Sequence, residues 1–420
     1  MQSQQSKHKA IRVRVNRLLS LLYSFAIVAV STFAVTVNVF GDLSHPSRFT
    51  FELLAIMALH AVRYQRFWVS REIGLNLGFL GYTVLSLAWT IDSHKAMTTM
   101  PSIVNFSLVL ILFSALMAFH DLGALLAGMF VGFLAAAAVY TLTSGFPFSY
   151  PEDFSYNTIA GMYLFGLFVT VVFGAYKRWT LMPMAVAPVL MVLIAATTSI
   201  KTNLGVALGI TVATLCYFKL SAKDLIRTVA FLAIVAGAIV YGMKFNQTLS
   251  ERVGNGFARV STGLAVLTNR EGDSGATGLG TRQGWTKEGL KGWAVTPVFG
   301  HGVEGFRADH GITSHSTPID LLYNAGVIGC GLFYGMFASI AWRLLRAQDR
   351  RRRGLRARIV ACLVAYAFIS ISGLIYYDPF VAIFVALSSG LLMRLERITQ
   401  REVAHERLSI GASGGSVSSA

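Results

Sequence analysis

The feature that most constrains this chain is an alternation. Apolar runs of membrane-spanning length are separated by connectors, and basic residues crowd nearly every second connector. The runs cover 18–40, 49–62, 73–90, 102–119, 122–143, 158–175, 181–199, 203–218 and 226–243, then 318–341, 359–376 and 379–393. A helical span needs about 20 apolar residues, so the pattern predicts an all-α polytopic integral membrane protein of about 12 transmembrane helices. The second run is short enough for a tilted or interfacial helix. Composition agrees: 54% of residues are hydrophobic and 13% charged, against about 45–50% apolar and about 25% charged in soluble domains. That balance excludes a large soluble enzyme and a disordered chain.

With the N-terminus inside, the inner segments hold 25 of the 36 Lys and Arg residues. The short outer connectors hold only Arg48, Lys95 and Lys201, and one long outer loop holds the rest. This is the positive-inside pattern, and it predicts two cytoplasmic termini. The net charge of +16 therefore reads as topology, and no nucleic-acid partner is expected. The Arg343 to Arg358 cluster admits RNA or anionic lipid as ligands, but a topology anchor beside the tenth run is preferred. The first run is longer than the about 7–15 apolar residues of a signal peptide and reads as an uncleaved span.

The chain divides into a basic N-terminus (1–17), nine spans (18–243), a long extracytoplasmic loop (244–316), three spans (317–393) and a tail (394–420). The Ser/Gly-rich end from Ser409 reads as disordered. Cys216, Cys330 and Cys362 lie far apart in apolar runs and suggest core packing, with no disulfide or metal spacing. Ionisable residues inside the runs are few. Glu52, Asp320 and Asp378 each sit near an outer end, whereas pumps and ion-coupled transporters use deeper ones. No internal repeat of the kind that builds transporters is visible.

A loop as long as 244–316 invites a functional reading. Gln247–Leu267 places Val253, Phe257, Val260, Leu264 and Leu267 at helical spacing, which suits a helix on the membrane face. Thr281–Val295 is a second helix candidate, with Trp285 and Trp293 suited to the interface. Asn269–Gly280 between them reads as a mobile connector.

Two stretches stand out: TRQGWTKEGLKGWAVTPVFGHGVEGF from Thr281, and SHSTPIDLLYNAGVIG from Ser314. Together they resemble the shared core of bacterial O-antigen ligases and related polysaccharide polymerases. That core has an R-x-x-W pair (here Arg282 and Trp285), then a Pro and a glycine turn (Pro297, Gly300, Gly302, Phe306). A His follows before a span (His315), then a Leu-rich G-x-x-G segment (Leu321, Leu322, Gly326, Gly329). Weaker echoes are WTIDSHKAM from Trp89, YNTIAG from Tyr156 and TTSIKTNLG from Thr197. Many ligases carry Arg where this chain has Lys201, which is more like the exopolysaccharide polymerases.

The resemblance implies a GT-C-like glycosyltransferase of the inner membrane, acting at the extracytoplasmic face without metal or cofactor. The donor it implies is an undecaprenyl-diphosphate-linked oligosaccharide. The acceptor is another glycan or lipid A core, and a flippase and chain-length regulator are implied partners. It also implies inversion at the sugar carbon.

The leaving group of such a transfer is a diphosphate, so the site must meet growing negative charge. Arg282 is the first candidate, because a guanidinium stays charged and binds phosphate bidentately; its alternative is a surface pair with Glu288 or Asp273. Lys201 is the second, at an outward helix N-terminus beside Thr202 and Asn203; its alternative is a snorkelling lysine. Arg307 and Lys287 are reserves. His315 is the candidate for activating the acceptor hydroxyl, with His301 and His310 as competitors. Thr317, Pro318 and Asp320 resemble a capping box, which gives Asp320 a structural role near the site. Gly300 and Gly302 suit a tight turn or close backbone approach to a phosphate. Gly326 and Gly329 suit helix packing. Tyr323 and Asn324 read equally as site lining or bundle contacts. The rival readings are a transporter or flippase of lipid-linked sugars, and a scaffold for polysaccharide export.

Overall fold

A computed structural model describes residues 2–40, 46–64, 70–145, 156–177, 181–197, 199–217, 279–346 and 353–414, together with the helical positions 233, 237, 240, 244, 247, 250, 251 and 254. The ninth run, the amphipathic Gln247–Leu267 and the connector Asn269–Gly280 lie, apart from those positions and 279–280, outside the described residues.

All regular structure among the described residues is helical. The helices are α1 (Gln2–Phe40), α2 (Pro46–Tyr64), α3 (Arg71–Ser86), α4 (Ser93–Phe119), α5 (Leu122–Ser144), α6 (Tyr156–Lys177), α7 (Leu181–Ala196) and α8 (Ile200–Tyr217). Then follow α9 (Leu279–Val295), α10 (Gly305–His310), α11 (Thr317–Arg346), α12 (Arg353–Ile371) and α13 (Pro379–Gly414). Seven described stretches are long and apolar enough to cross a membrane: Val13–Val39, Ser93–Phe119, Leu122–Ser144, Asn157–Gly174, Thr317–Arg346, Arg353–Ile371 and Pro379–Ile398. Ala185–Ala196 and Lys201–Cys216 are shorter apolar helices. The chain is an all-α membrane protein by this measure. The basic N-terminus continues as helix from Gln2 into the first apolar run, and α13 stays helical through Gly414, past Ser409.

Small residues set the tightest packing. Gly128 and Gly132 of α5 lie against the Phe25 and Ala29 carbonyls of α1. Gly205 and Gly209 of α8 lie in the same way against the Ala365 and Ala361 carbonyls of α12. In lipid no hydrophobic force drives helices together, so glycines four apart gain contact by letting backbones approach. Elsewhere the core is aromatic: Phe333 is fully buried among Phe79, Phe106, Phe337 and Tyr376.

The helix ends sort into two groups. At one end, buried Glu72 of α3 accepts hydrogen bonds from Ser339 of α11 (2.8 Å) and Ser389 of α13 (2.7 Å). Arg343 lies 3.6 Å from Glu72 and pairs with Glu396 at 2.9 Å. At the other end, the Thr90 hydroxyl donates to Val303 O (2.6 Å), and Ser199 donates to Asn157 (2.9 Å). Connectors that alternation assigns to one side thus meet one another.

The tenth run is not one straight helix. At Gly326 the backbone turns to φ 60°, ψ −164°, a region open essentially to glycine alone. The twenty residues from Val327 to Arg346 extend about 30 Å at about 1.5 Å per residue, enough to span by themselves. Thr317–Ala325 forms a separate short helical piece before the break. Gly326 is therefore not the packing glycine that its G-x-x-G spacing suggests. Gly329 does face a neighbour, with Tyr82 of α3 about its position.

Candidate functional site

The break in α11 organises the site. A helix that stops at Gly326 strands carbonyls before it and N–H groups after it. The loop 296–304 supplies both partners. His301 N–H donates to Tyr323 O (2.9 Å) and Gly302 N–H to Asn324 O (2.8 Å). Val327 N–H donates to Pro297 O (3.0 Å) and Ile328 N–H to Val298 O (3.4 Å). The loop therefore docks as backbone against backbone, which leaves no room for side chains at the contact. Gly300 (φ 69°) abuts the Asn324–Ala325 peptide, and Gly302 (φ 88°) abuts Thr90. Both glycines hold turns with positive φ, as expected of them, and each closely approaches the protein's own main chain.

Asp320 lies under this loop, 3% exposed. Its Oδ1 accepts from the Ser314 hydroxyl (2.9 Å). Its Oδ2 accepts from Asn324 Nδ2 (2.9 Å) and from the Tyr376 hydroxyl (2.9 Å). Asn324 Oδ1 in turn accepts from Phe306 N–H (2.8 Å). The capping box expected here is not formed. The Thr317 hydroxyl donates to Gly373 O (2.6 Å) and accepts from Ile375 N–H (2.9 Å), so it ties α11 to the turn between α12 and α13. Tertiary partners have replaced the local cap.

His315 follows Ser314 directly. It is exposed, holds a left-handed backbone (φ 55°), and its ring lies 5.3 Å from that of Trp285 on α9. Arg282 belongs to the same helix, three residues earlier, hence near the face that carries Trp285; its side chain lies outside the described residues, as does Asp273. Glu288 pairs with Lys291 at 2.7 Å, and that pairing holds its carboxyl below the ordinary glutamate range. Lys287 is exposed. The competing histidines sit differently. His301 stacks on Tyr323 at 4.4 Å with Nε2 3.0 Å from Gly292 O, and His310 packs on Phe306 at 4.5 Å. Tyr323 is also bound through its hydroxyl to Asp309.

Lys201 lies beside the turn between α12 and α13. Its Nζ donates to Ser372 O (3.1 Å), one residue before the carbonyl that receives Thr317. Its charge also acts on Asp378, whose carboxyl is pushed up to about 6 by burial, against the Phe380 and Val381 N–H groups and Lys201. Arg307 on α10 stands 3.8 Å from Glu304, half-exposed. Thus His315, Trp285, Asp320, Lys201 and Arg307 border one region built on the 372–378 turn, the broken α11 and the loop 296–316. Among the described residues no three His, Cys, Asp or Glu side chains converge as a metal site.

The sequence left Asn324 open between site lining and bundle contact, and it gave no signal for Tyr376 or Glu304. Asn324 joins Asp320 to the loop, Tyr376 completes the Asp320 shell, and Glu304 is a buried acid on α10's leading edge. Asp378 showed itself only as an acid in an apolar setting. No family model matches the chain, and no curated protein matches it.

Proposed function

We propose that this protein is a membrane glycosyltransferase of the O-antigen ligase and polysaccharide polymerase type. It would move a glycan from undecaprenyl diphosphate to an acceptor sugar at the extracytoplasmic face of a bacterial inner membrane. The finer topology belongs to the same proposal: about 12 spans, both termini cytoplasmic, and 244–316 outside. The polymerase reaction is preferred over the ligase reaction, on the lysine at position 201.

One observation carries the reading. His315 is held in an uncommon backbone conformation, exposed, against the Trp285 that shares a helix with Arg282. These three residues come from the two stretches on which the resemblance rests. In the mechanism, His315 accepts the proton of the attacking hydroxyl. The new glycosidic C–O bond forms as the bond from the sugar carbon to the diphosphate oxygen breaks. The departing diphosphate takes that electron pair, and Arg282 and Lys201 stabilise its charge, with Arg307 in reserve.

A transporter reading draws on the broken helix, since discontinuous helices line many transporter sites. Here the peptide groups at the break are paired by the loop, which argues against ion coordination there. The test is a deletion strain complemented with wild type, His315→Ala or Arg282→Ala at equal membrane levels. Loss of a general base lowers rates by about 10²–10⁴-fold. Accumulated single repeats on lipid indicate a polymerase. Long lipid-linked chains that never reach lipid A core indicate a ligase. Normal glycan from both variants overturns the assignment.

A further inference from the structure

Among the described residues two non-glycine residues have positive φ: His315 (55°) and Glu304 (60°). Such conformations are strained for a residue with a side chain and persist where the surroundings over-determine them, chiefly at working sites. Both residues are held from the same turn of α11. Asp320 takes the hydroxyl of Ser314, next to His315, and Asn324 takes the N–H of Phe306, two residues past Glu304. Asp320 and Asn324 are themselves hydrogen-bonded at 2.9 Å.

The Glu304 side chain is 7% exposed. Its Oε1 accepts from the Thr99 hydroxyl at 3.0 Å. Its Oε2 is buried and has no hydrogen-bond partner, since Arg307 Nη1 at 3.8 Å is beyond bonding reach. A carboxylate oxygen removed from water with only a distant ion-pair partner and no hydrogen-bond donor is destabilising. Resting on the glycosyl-transfer reading, we propose that Glu304 is an acceptor-binding residue: Oε2 receives a hydrogen bond from a hydroxyl of the incoming sugar. The chemistry selects the acceptor over the donor. A carboxylate repels a diphosphate, while a polyhydroxylated ring offers the neutral donor that Oε2 lacks. Burial raises the Glu304 pKa, with the Thr99 hydrogen bond and the Arg307 and Lys95 charges opposing. A sugar hydroxyl on Oε2 would favour the ionised form.

The test uses full-length protein in nanodiscs. The donor is lipid-linked glycan extracted from the deletion strain, held fixed. The varied acceptor is the water-soluble glycan released from that lipid by mild acid. Glu304→Gln keeps the size and an anchor for Thr99 but replaces the carboxylate. It is expected to raise the acceptor KM at least tenfold, change kcat less than threefold, and leave the melting temperature unchanged. A KM within twofold of wild type, with His315→Ala inactive in the same assay, overturns the inference and leaves the glycosyl-transfer reading standing. No product from wild type with this acceptor or with lipid A core overturns that reading, and this inference with it. Should Glu304→Gln fail to give monodisperse protein, Thr99→Val frees the carboxylate from its anchor and reads the same KM. An unchanged KM there overturns the proposal.

Discussion

Gly326→Ala should unlock the loop 296–304 from α11. The alanine Cβ would drive into the Val298 carbonyl and stand 2.8 Å from Gly300 N, at φ 60° and ψ −164°. The backbone strain alone is about 1–3 kcal/mol. Relieving it by displacing the loop sacrifices some of the four bonds made by His301, Gly302, Val327 and Ile328 N–H, each about 1 kcal/mol net. Together about 3 kcal/mol is a moderate expectation, which is roughly a hundredfold in a local opening equilibrium. Hydrogen exchange on the detergent-purified protein measures this directly. Amide protection at 301, 302, 327 and 328 should fall about a hundredfold, while the C-terminal half of α11 keeps its protection. Gly331→Ala is the control, because a Cβ there meets nothing within 4 Å. If both variants exchange like wild type, the loop does not depend on the break and the account of Gly326 is wrong.

Asp320→Ala leaves the Ser314, Asn324 and Tyr376 donors without their acceptor, at about 1–3 kcal/mol for each buried group left unsatisfied; a thermal melt should drop clearly, and an unchanged one removes Asp320 from its central place. Gly209→Leu should separate α8 from α12, because even a Cβ there overlaps the Ala361 carbonyl; monodisperse yield should collapse relative to Gly81→Leu, where space is open. Asp378 contributes a pH dependence with a definite sign. Its folded pKa of about 6 lies above the ordinary aspartate value, so the folded state holds the proton longer and stability falls as pH rises through that window. Asp378→Asn, which still caps α13, should flatten the fall between about pH 4 and pH 6 in melts run across that range; a wild-type profile without any fall contradicts the assignment.

The helices were legible because apolar runs in lipid have one common outcome. The site was legible only where a residue's partners lie close in sequence. Trp285 and Arg282 share a helix that the sequence marks. The burial of Glu304 is not written locally: nothing in the stretch from Gly302 to Phe306 marks it, and its partner Thr99 lies 205 residues away. Thr317–Asp320 was misread for the opposite reason. The local pattern fits a cap, but the 372–376 turn offers Thr317 and Asp320 better partners. Gly326 was misread because a glycine three residues from another, inside an apolar run, looks like helix packing until a non-local loop is seen to fill the gap.

The glycine faces have a consequence for synthesis. The α1 and α5 faces can meet once the first 144 residues exist. The Gly205–Gly209 face of α8 must wait for Ala361 and Ala365. About 150 residues separate Gly209 from Ala361, and at about 5–20 residues per second they take roughly 8–30 s to make. During that interval α8 rests in the bilayer with its closest-packing surface uncovered by α12. A membrane insertase or a crosslinker placed at Gly209 would find this helix open only on nascent chains, and closed on every finished one.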